Sequence, residues 1–105
     1  MKTKATRRAK QMDFNKELRP VIDAIRTHRK ANHLSAGEVS RAAGMSRTWA
    51  TDLESGKGGL NPSVGRLALY CNGAGVQEFG VYVIIDGEYT SAALVGGDDV
   101  EDDNV

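Results

Sequence analysis

Between Leu34 and Gly56, apolar residues recur every three or four positions in two short runs, Val39, Ala42 and Ala43, then Trp49, Ala50 and Leu53. That spacing marks one face of a helix each time. The first run has a well-defined start. In Ser35-Ala36-Gly37-Glu38, the serine hydroxyl can take the amide three residues on while the glutamate returns to the serine amide, a capping box. Leu34 and Val39 flank it at the spacing of a hydrophobic staple. Gly44 can adopt the left-handed conformation that ends a helix, Ser46 is available to cap the second helix, and Gly56 is the expected stop. So few residues lie between Gly44 and Ser46 that the two helices must meet at a sharp angle, as in a helix-turn-helix.

The flanks extend this pattern. Asp13 to Arg19 reads as a short helical lead, and Pro20 suits the first turn of the next helix. Leu18, Ile22 and Ile25 share a face, with Val21 beside them and Arg26, Arg29 and Lys30 projecting elsewhere. Past Gly56, Asn61 is expected as cap and Pro62 as first residue of another helix. Its apolar face is Val64, Leu67, Ala68 and Cys71, with Cys71 buried as a small hydrophobe. Asn72 to Gly75 ends it.

From Phe79 the period changes to two. Phe79, Val81, Val83 and Ile85 alternate with Gly80, Tyr82, Ile84 and Asp86, and Tyr82 and Ile84 make the second face apolar as well. A strand buried on both sides is expected. Asp86-Gly87 is a type I′ hairpin signal with Glu88 to Leu94 returning. A lone hairpin is marginal in water, so the helices should cover one side and the same hairpin of a second chain the other. Val81, Tyr82, Val83, Ile84 and Ile85 are the candidate dimerisation residues. The fold class is mainly α: a basic arm (1–12), a helical helix-turn-helix domain (13–77), a β-hairpin (78–95) and an acidic tail (96–105).

Charge sharpens the picture. The 105 residues carry no net charge, yet all 14 Lys and Arg lie at or before Arg66, together with six acids, and the other eight acids follow it. The front part is therefore +8 and the rest −8. A basic front half suits a polyanion partner; two differently solvated surfaces are the plainer account. Lys2, Lys4, Arg7, Arg8 and Lys10 form either a phosphate-tracking arm or a solvated tail. The tail acids, Asp98 to Asp103, serve solubility, screen the basic half or bind a basic partner. Cys71 is the only cysteine, which excludes an intrachain disulfide and suits a reducing cytoplasm. No run is long enough for a membrane span. His28 and His33 are five apart, without the i, i+4 spacing of a helical metal pair, so surface roles and no metal are expected. There is no phosphate-binding loop, dinucleotide fingerprint or nucleophile motif. Neither an enzyme nor a cofactor is expected.

The pattern L-S-x-x-E-V-x-x-A-A-G-M-S-R-T-x-x-x-x-L-E-x-G-K, from Leu34 to Lys57, is similar to the lambda repressor/Cro (XRE) family of DNA-binding domains, over about residues 20 to 76. Within that family, Ser46-Arg47-Thr48-Trp49 and Leu53 to Lys57 most resemble the antitoxin-type branch that includes HipB. Three positions depart from it. Ala36 stands where the family usually has a phosphate-contacting Gln, Ser40 replaces a small Ala, and Ala50 replaces a larger β-branched residue whose space Trp49 could fill. The resemblance implies a helix starting at Ser46 in the major groove, with Ser46, Arg47, Thr48, Thr51 and Asp52 toward DNA and Ala50 and Leu53 toward the core. Ser35, Lys57, Arg7 and Arg8 are the further DNA-binding candidates; Lys57, with the glycines after it, offers a phosphate site or forms a plain surface turn. Arg47 reads guanine or contacts phosphate. Asp52 accepts from a cytosine amine or holds Arg47. Trp49 fills the core or lies against the sugar-phosphate backbone. The implied function is a homodimeric, sequence-specific transcriptional regulator of double-stranded DNA, either a phage repressor or Cro-like protein or an autoregulating antitoxin. The alternative is a protein-interaction module whose hairpin and tail neutralise a toxin.

Overall fold

Three helices of the protein end in the same backbone turn, which redirects the chain into the element that follows. The computed structural model describes residues 13–57 and 60–96. Its helices are α1 (Phe14–Glu17), α2 (Arg19–Ala31), α3 (Ala36–Ala42), α4 (Trp49–Ser55) and α5 (Val64–Gly73), followed by strands β1 (Phe79–Ile85) and β2 (Glu88–Val95). After α2, the Leu34 amide returns to the Arg29 carbonyl at 3.1 Å and that of His33 to Lys30 at 3.0 Å. After α3, Met45 returns to Ser40 and Gly44 to Arg41, at 2.8 and 2.9 Å; after α5, Val76 returns to Cys71 and Gly75 to Asn72, at 2.9 and 3.2 Å. This paired return is the Schellman motif, which needs a left-handed residue at its centre. Gly44 fills that place at φ 75°, as expected, while α2 uses His33 at φ 59°.

A side chain in that conformation is strained by its Cβ. His33→Gly should therefore stabilise the fold by about 0.5–1 kcal/mol, the relief of the left-handed penalty less the entropy glycine loses on folding. Urea denaturation measures it, and an unchanged midpoint would show that His33 gains compensating contacts.

The starts are mostly as expected. Asp13 caps α1, and Pro20 lies in the first turn of α2. The capping box of α3 is complete: the Glu38 amide donates to Ser35 Oγ at 3.0 Å and the Ser35 amide to Glu38 Oε1 at 2.7 Å. The Ser35 amide and hydroxyl hold the Glu38 carboxyl below its ordinary range. The start of α5 is a correction. Ser63, not Asn61, is the cap; its backbone is extended and its hydroxyl accepts from the Arg66 amide, so Pro62 lies outside the helix. Val64 is consequently the first helical residue and stays 50% exposed, instead of joining Leu67 and Cys71 inside.

The core gathers Phe14, Ile22, Ile25, Val39, Ala50, Leu53, Leu67, Tyr70, Cys71 and Ala74. Burial pushes the Cys71 thiol up to about 11, which suits a packing role. Trp49 is half-buried against this cluster, its ring edge-on to Tyr70 at 5.9 Å, so it fills the core. Arg29 corrects another expectation. It does not project from α2 into solvent; it is 7% exposed and forms a two-pronged pair with Glu54, Nε to Oε2 at 2.9 Å and Nη2 to Oε1 at 2.7 Å. Its Nη1 donates to the Leu34 carbonyl at 2.7 Å, and the Tyr70 hydroxyl donates to Glu54 Oε2 at 2.9 Å. Hydrogen bonding to Glu54 raises the Arg29 pKa, and burial raises that of Tyr70.

The strands form an antiparallel hairpin in which Val81 pairs Ala92, Val83 pairs Thr90 and Ile85 pairs Glu88. Asp86 and Gly87, at φ 52° and 81°, make the expected type I′ turn. The hairpin is not covered as expected. Val81, Tyr82, Val83, Ile84, Ile85, Tyr89 and Leu94 are 41–66% exposed, because only its base, at Phe79 and Val95, packs on the helices. The register shifts between Phe79 and Gly80, which leaves Leu94 as the extra residue of a bulge. A Cβ on Gly80 would lie 2.6 Å from the Ala92 carbonyl oxygen, and one on Gly96 would overlap the Gln77 carbonyl. The base is closed to side chains at both points.

The arm with Arg7 and Arg8, Gly58 and Gly59, and the tail from Gly97 onward lie outside the described residues. Among the described residues, no helix is long and apolar enough to cross a membrane.

Candidate nucleic-acid interface

The second helix of the motif starts later than its serine suggests. Helix α4 begins at Trp49, and Ser46, Arg47 and Thr48 form the turn that leads into it, with the Trp49 amide on the Ser46 carbonyl at 3.0 Å. The Ser46 side chain does not cap this helix. Thr48 occupies the cap position without a side-chain bond, at φ −95° and ψ 1°. A capping hydroxyl works from an extended backbone, and Thr48 is not extended.

The turn and helix divide their side chains cleanly. Ala50, Leu53 and Glu54 are buried, while Ser46, Arg47, Thr48 and Thr51 are exposed and Asp52 is partly so. All five are sequence-derived DNA candidates. The stem of Arg47 runs past the start of α3, its Cγ 3.8 Å from where a Cβ on Gly37 would stand. No ion pair joins Arg47 to Asp52 among the described residues, so the account in which Asp52 holds Arg47 has no support here. Lys57 is exposed just beyond Gly56, and its amide donates to Ser55 Oγ at 3.2 Å. Ser35 is exposed with its hydroxyl engaged in the capping box.

A groove of about 440 Å³ runs beside this surface, where Arg26 of α2, Ala36 of α3 and Thr51 and Ser55 of α4 meet above Arg29 and Glu54. Its charges are unequal. Arg29 is neutralised by Glu54, and Arg19 lies 3.2 Å from Asp23 while donating to the carbonyls of Glu54 at 2.5 Å and Leu53 at 3.4 Å. Arg26 is about half exposed and 3.9 Å from Glu54 Oε1, on a carboxylate that already accepts three shorter hydrogen bonds. Its guanidinium is the most exposed of the three that line the groove. Sequence reading put Arg26 off the apolar face of α2 but did not connect it with this groove. Arg19 was missed. A cation at a helix C-terminus meets the negative end of the dipole, and Arg19, with Asn15 donating to the Gly56 carbonyl at 3.5 Å, fastens the end of α4.

The exposed hydroxyls and guanidinium of the turn before α4 and of its first turn, beside a groove cation, are groups able to hydrogen-bond to base edges and phosphates. A family model described as a helix-turn-helix domain matches residues 23–78, which takes in most of α2 and all of α3, α4 and α5. No curated protein and no solved structure matches the chain. With more than half its length in that match and α3 and α4 joined across the left-handed Gly44, the chain belongs to the helix-turn-helix family of DNA-binding domains.

Proposed function

We propose that the protein is a sequence-specific transcriptional regulator of the lambda repressor/Cro (XRE) type that binds double-stranded DNA as a homodimer. It represses from a palindromic operator whose half-sites lie about one helical turn apart. The observation that carries this reading is the exposure of Ser46, Arg47, Thr48 and Thr51 around buried Ala50 and Leu53. Arg47 reads a guanine, and Arg26, Lys57 and Ser35 contact the phosphates. The exposed apolar residues Val81 to Ile85 pair two chains.

Selection of bound sequences from a random duplex pool tests it. The wild-type protein should enrich a palindrome. Arg47→Ala should weaken binding to it by about 1–3 kcal/mol and relax one base pair per half-site. An equal loss on random duplex would make Arg47 a phosphate ligand, and no enrichment would remove the sequence-specific reading.

One observation favours a second reading, an antitoxin that also holds a toxin. The hairpin is apolar on both faces, with Tyr82 and Tyr89 stacked at 5.0 Å, and pairing with one other hairpin covers one face. Absence of duplex binding at low salt would leave only this reading.

A further inference from the structure

Helix α4 has no cap of its own, and a helix leaves its first amides without acceptors inside the helix. The amide of Trp49 takes the Ser46 carbonyl, and that of Asp52 takes the Thr48 carbonyl, both at 3.0 Å. The amide of Ala50 is wholly buried and has no access to water. It donates to Ser40 Oγ, on α3, at 2.9 Å. Ser40 is 0% exposed, and its own proton goes one turn back to the Ala36 carbonyl at 2.9 Å. A hydroxyl has one proton. With that proton committed to α3, a lone pair is aimed at α4.

We propose that Ser40 is a positioning residue for DNA reading: it supplies from α3 the N-terminal cap that α4 lacks, and so fixes the height and angle of α4 against α3. The proposal rests on the DNA-binding reading above. Apolar contact tolerates small slides and rotations, whereas a hydrogen bond weakens steeply as its angle opens. Ser46, Arg47 and Thr48 precede the Ala50 amide within four residues, and Thr51 follows it directly. Every side chain assigned to base edges therefore lies within about one turn of this anchor, and a recognition site works only while its groups stay within about 0.5 Å of the productive geometry.

The test uses full-length Ser40→Ala. Far-UV circular dichroism checks the fold, NMR hydrogen exchange reads the Ala50 amide, and binding is measured at one salt concentration on the selected operator and on a random duplex. The expected result is unchanged helix content and faster Ala50 exchange. Operator affinity should fall about tenfold, equivalent to about 1.4 kcal/mol and within the cost of orphaning a buried amide. Random-duplex affinity should change less than about twofold, because phosphate attraction does not depend on the alignment of α4. Equal losses on both duplexes, or none, overturn the proposal. If Ser40→Ala does not fold, exchange in the wild-type protein decides: Ala50 protected as strongly as Leu53 supports the cap, and Ala50 exchanging like an exposed amide overturns it. A wild-type protein that fails to distinguish the two duplexes defeats the DNA reading, whereas unchanged Ala50 exchange in Ser40→Ala defeats the cap itself.

Discussion

Glu54→Ala should destabilise the protein by about 3–5 kcal/mol, because it strands a buried guanidinium without its counterion. Arg29 is donating through two nitrogens to that carboxylate, and Tyr70 would lose its acceptor at the same time. Domains of this size hold only about 5–15 kcal/mol in total, so the melting temperature should drop by tens of degrees. The companion experiment replaces both partners. Arg29→Met with Glu54→Leu should cost less than Glu54→Ala alone, since no charge is then left unpaired inside. Thermal unfolding followed by circular dichroism measures both. A Glu54→Ala cost under about 1 kcal/mol is what a solvated surface pair gives, and would mean that water reaches Arg29. The pair also links α2 to α4, so the variant should lose DNA binding at temperatures where the wild-type protein keeps it.

Ile84→Glu should turn the protein into a monomer in sedimentation, with its helical content unchanged. The seven large side chains of the hairpin are 41–66% exposed, an apolar surface of the kind that marks an interaction site. A carboxylate placed in that interface must be desolvated without a partner, which is strongly unfavourable. Residue 84 lies away from the hairpin base, where Phe79 and Val95 meet the helices, so the helical body has no reason to respond. In the proposed dimer, losing one half-site's contribution to avidity should weaken operator binding by about 10²-fold or more. Val83 is on the opposite face of the strand, and the comparison with Val83→Glu identifies which face the second chain covers. A wild-type protein that sediments as a monomer would sink the dimer outright.

Features settled within four or five neighbouring residues were legible in the sequence. The capping box at Ser35 and Glu38, the left-handed Gly44 and the Asp86-Gly87 turn each need only local backbone geometry, and each is formed. The exposure of Thr51 opposite buried Ala50 and Leu53 followed from helical periodicity, whereas Ser46, Arg47 and Thr48, in the turn before α4, became DNA candidates only through the family resemblance. Where two residues compete for one local role, the reading slipped by two or three positions: Ser63 displaced Asn61 as a cap, and α4 began at Trp49 although Ser46 was the available hydroxyl. Pairings across the fold were not legible. Arg29 and Glu54 are separated by 25 residues, and an arginine near an apolar stripe looks solvated until its partner is known. Ser40 was visible only as a departure from alanine, since nothing in a helical serine announces an amide on another helix. The hairpin's alternation correctly signalled apolar strand faces, but a pattern of burial does not say whether the covering surface is in the same chain.

The glycines at the hairpin base have a mechanical consequence. Gly80 lies against the Ala92 carbonyl and Gly96 against the Gln77 carbonyl, with no room for a side chain at either. Main chain rests on main chain there, between the two strands and the residues that flank them, so a side chain at either point would force the strands apart. In the proposed dimer, those strands are what one chain offers the other. Alanine at Gly80 would then weaken the pairing of two chains by distorting the strands, without altering the turn before α4.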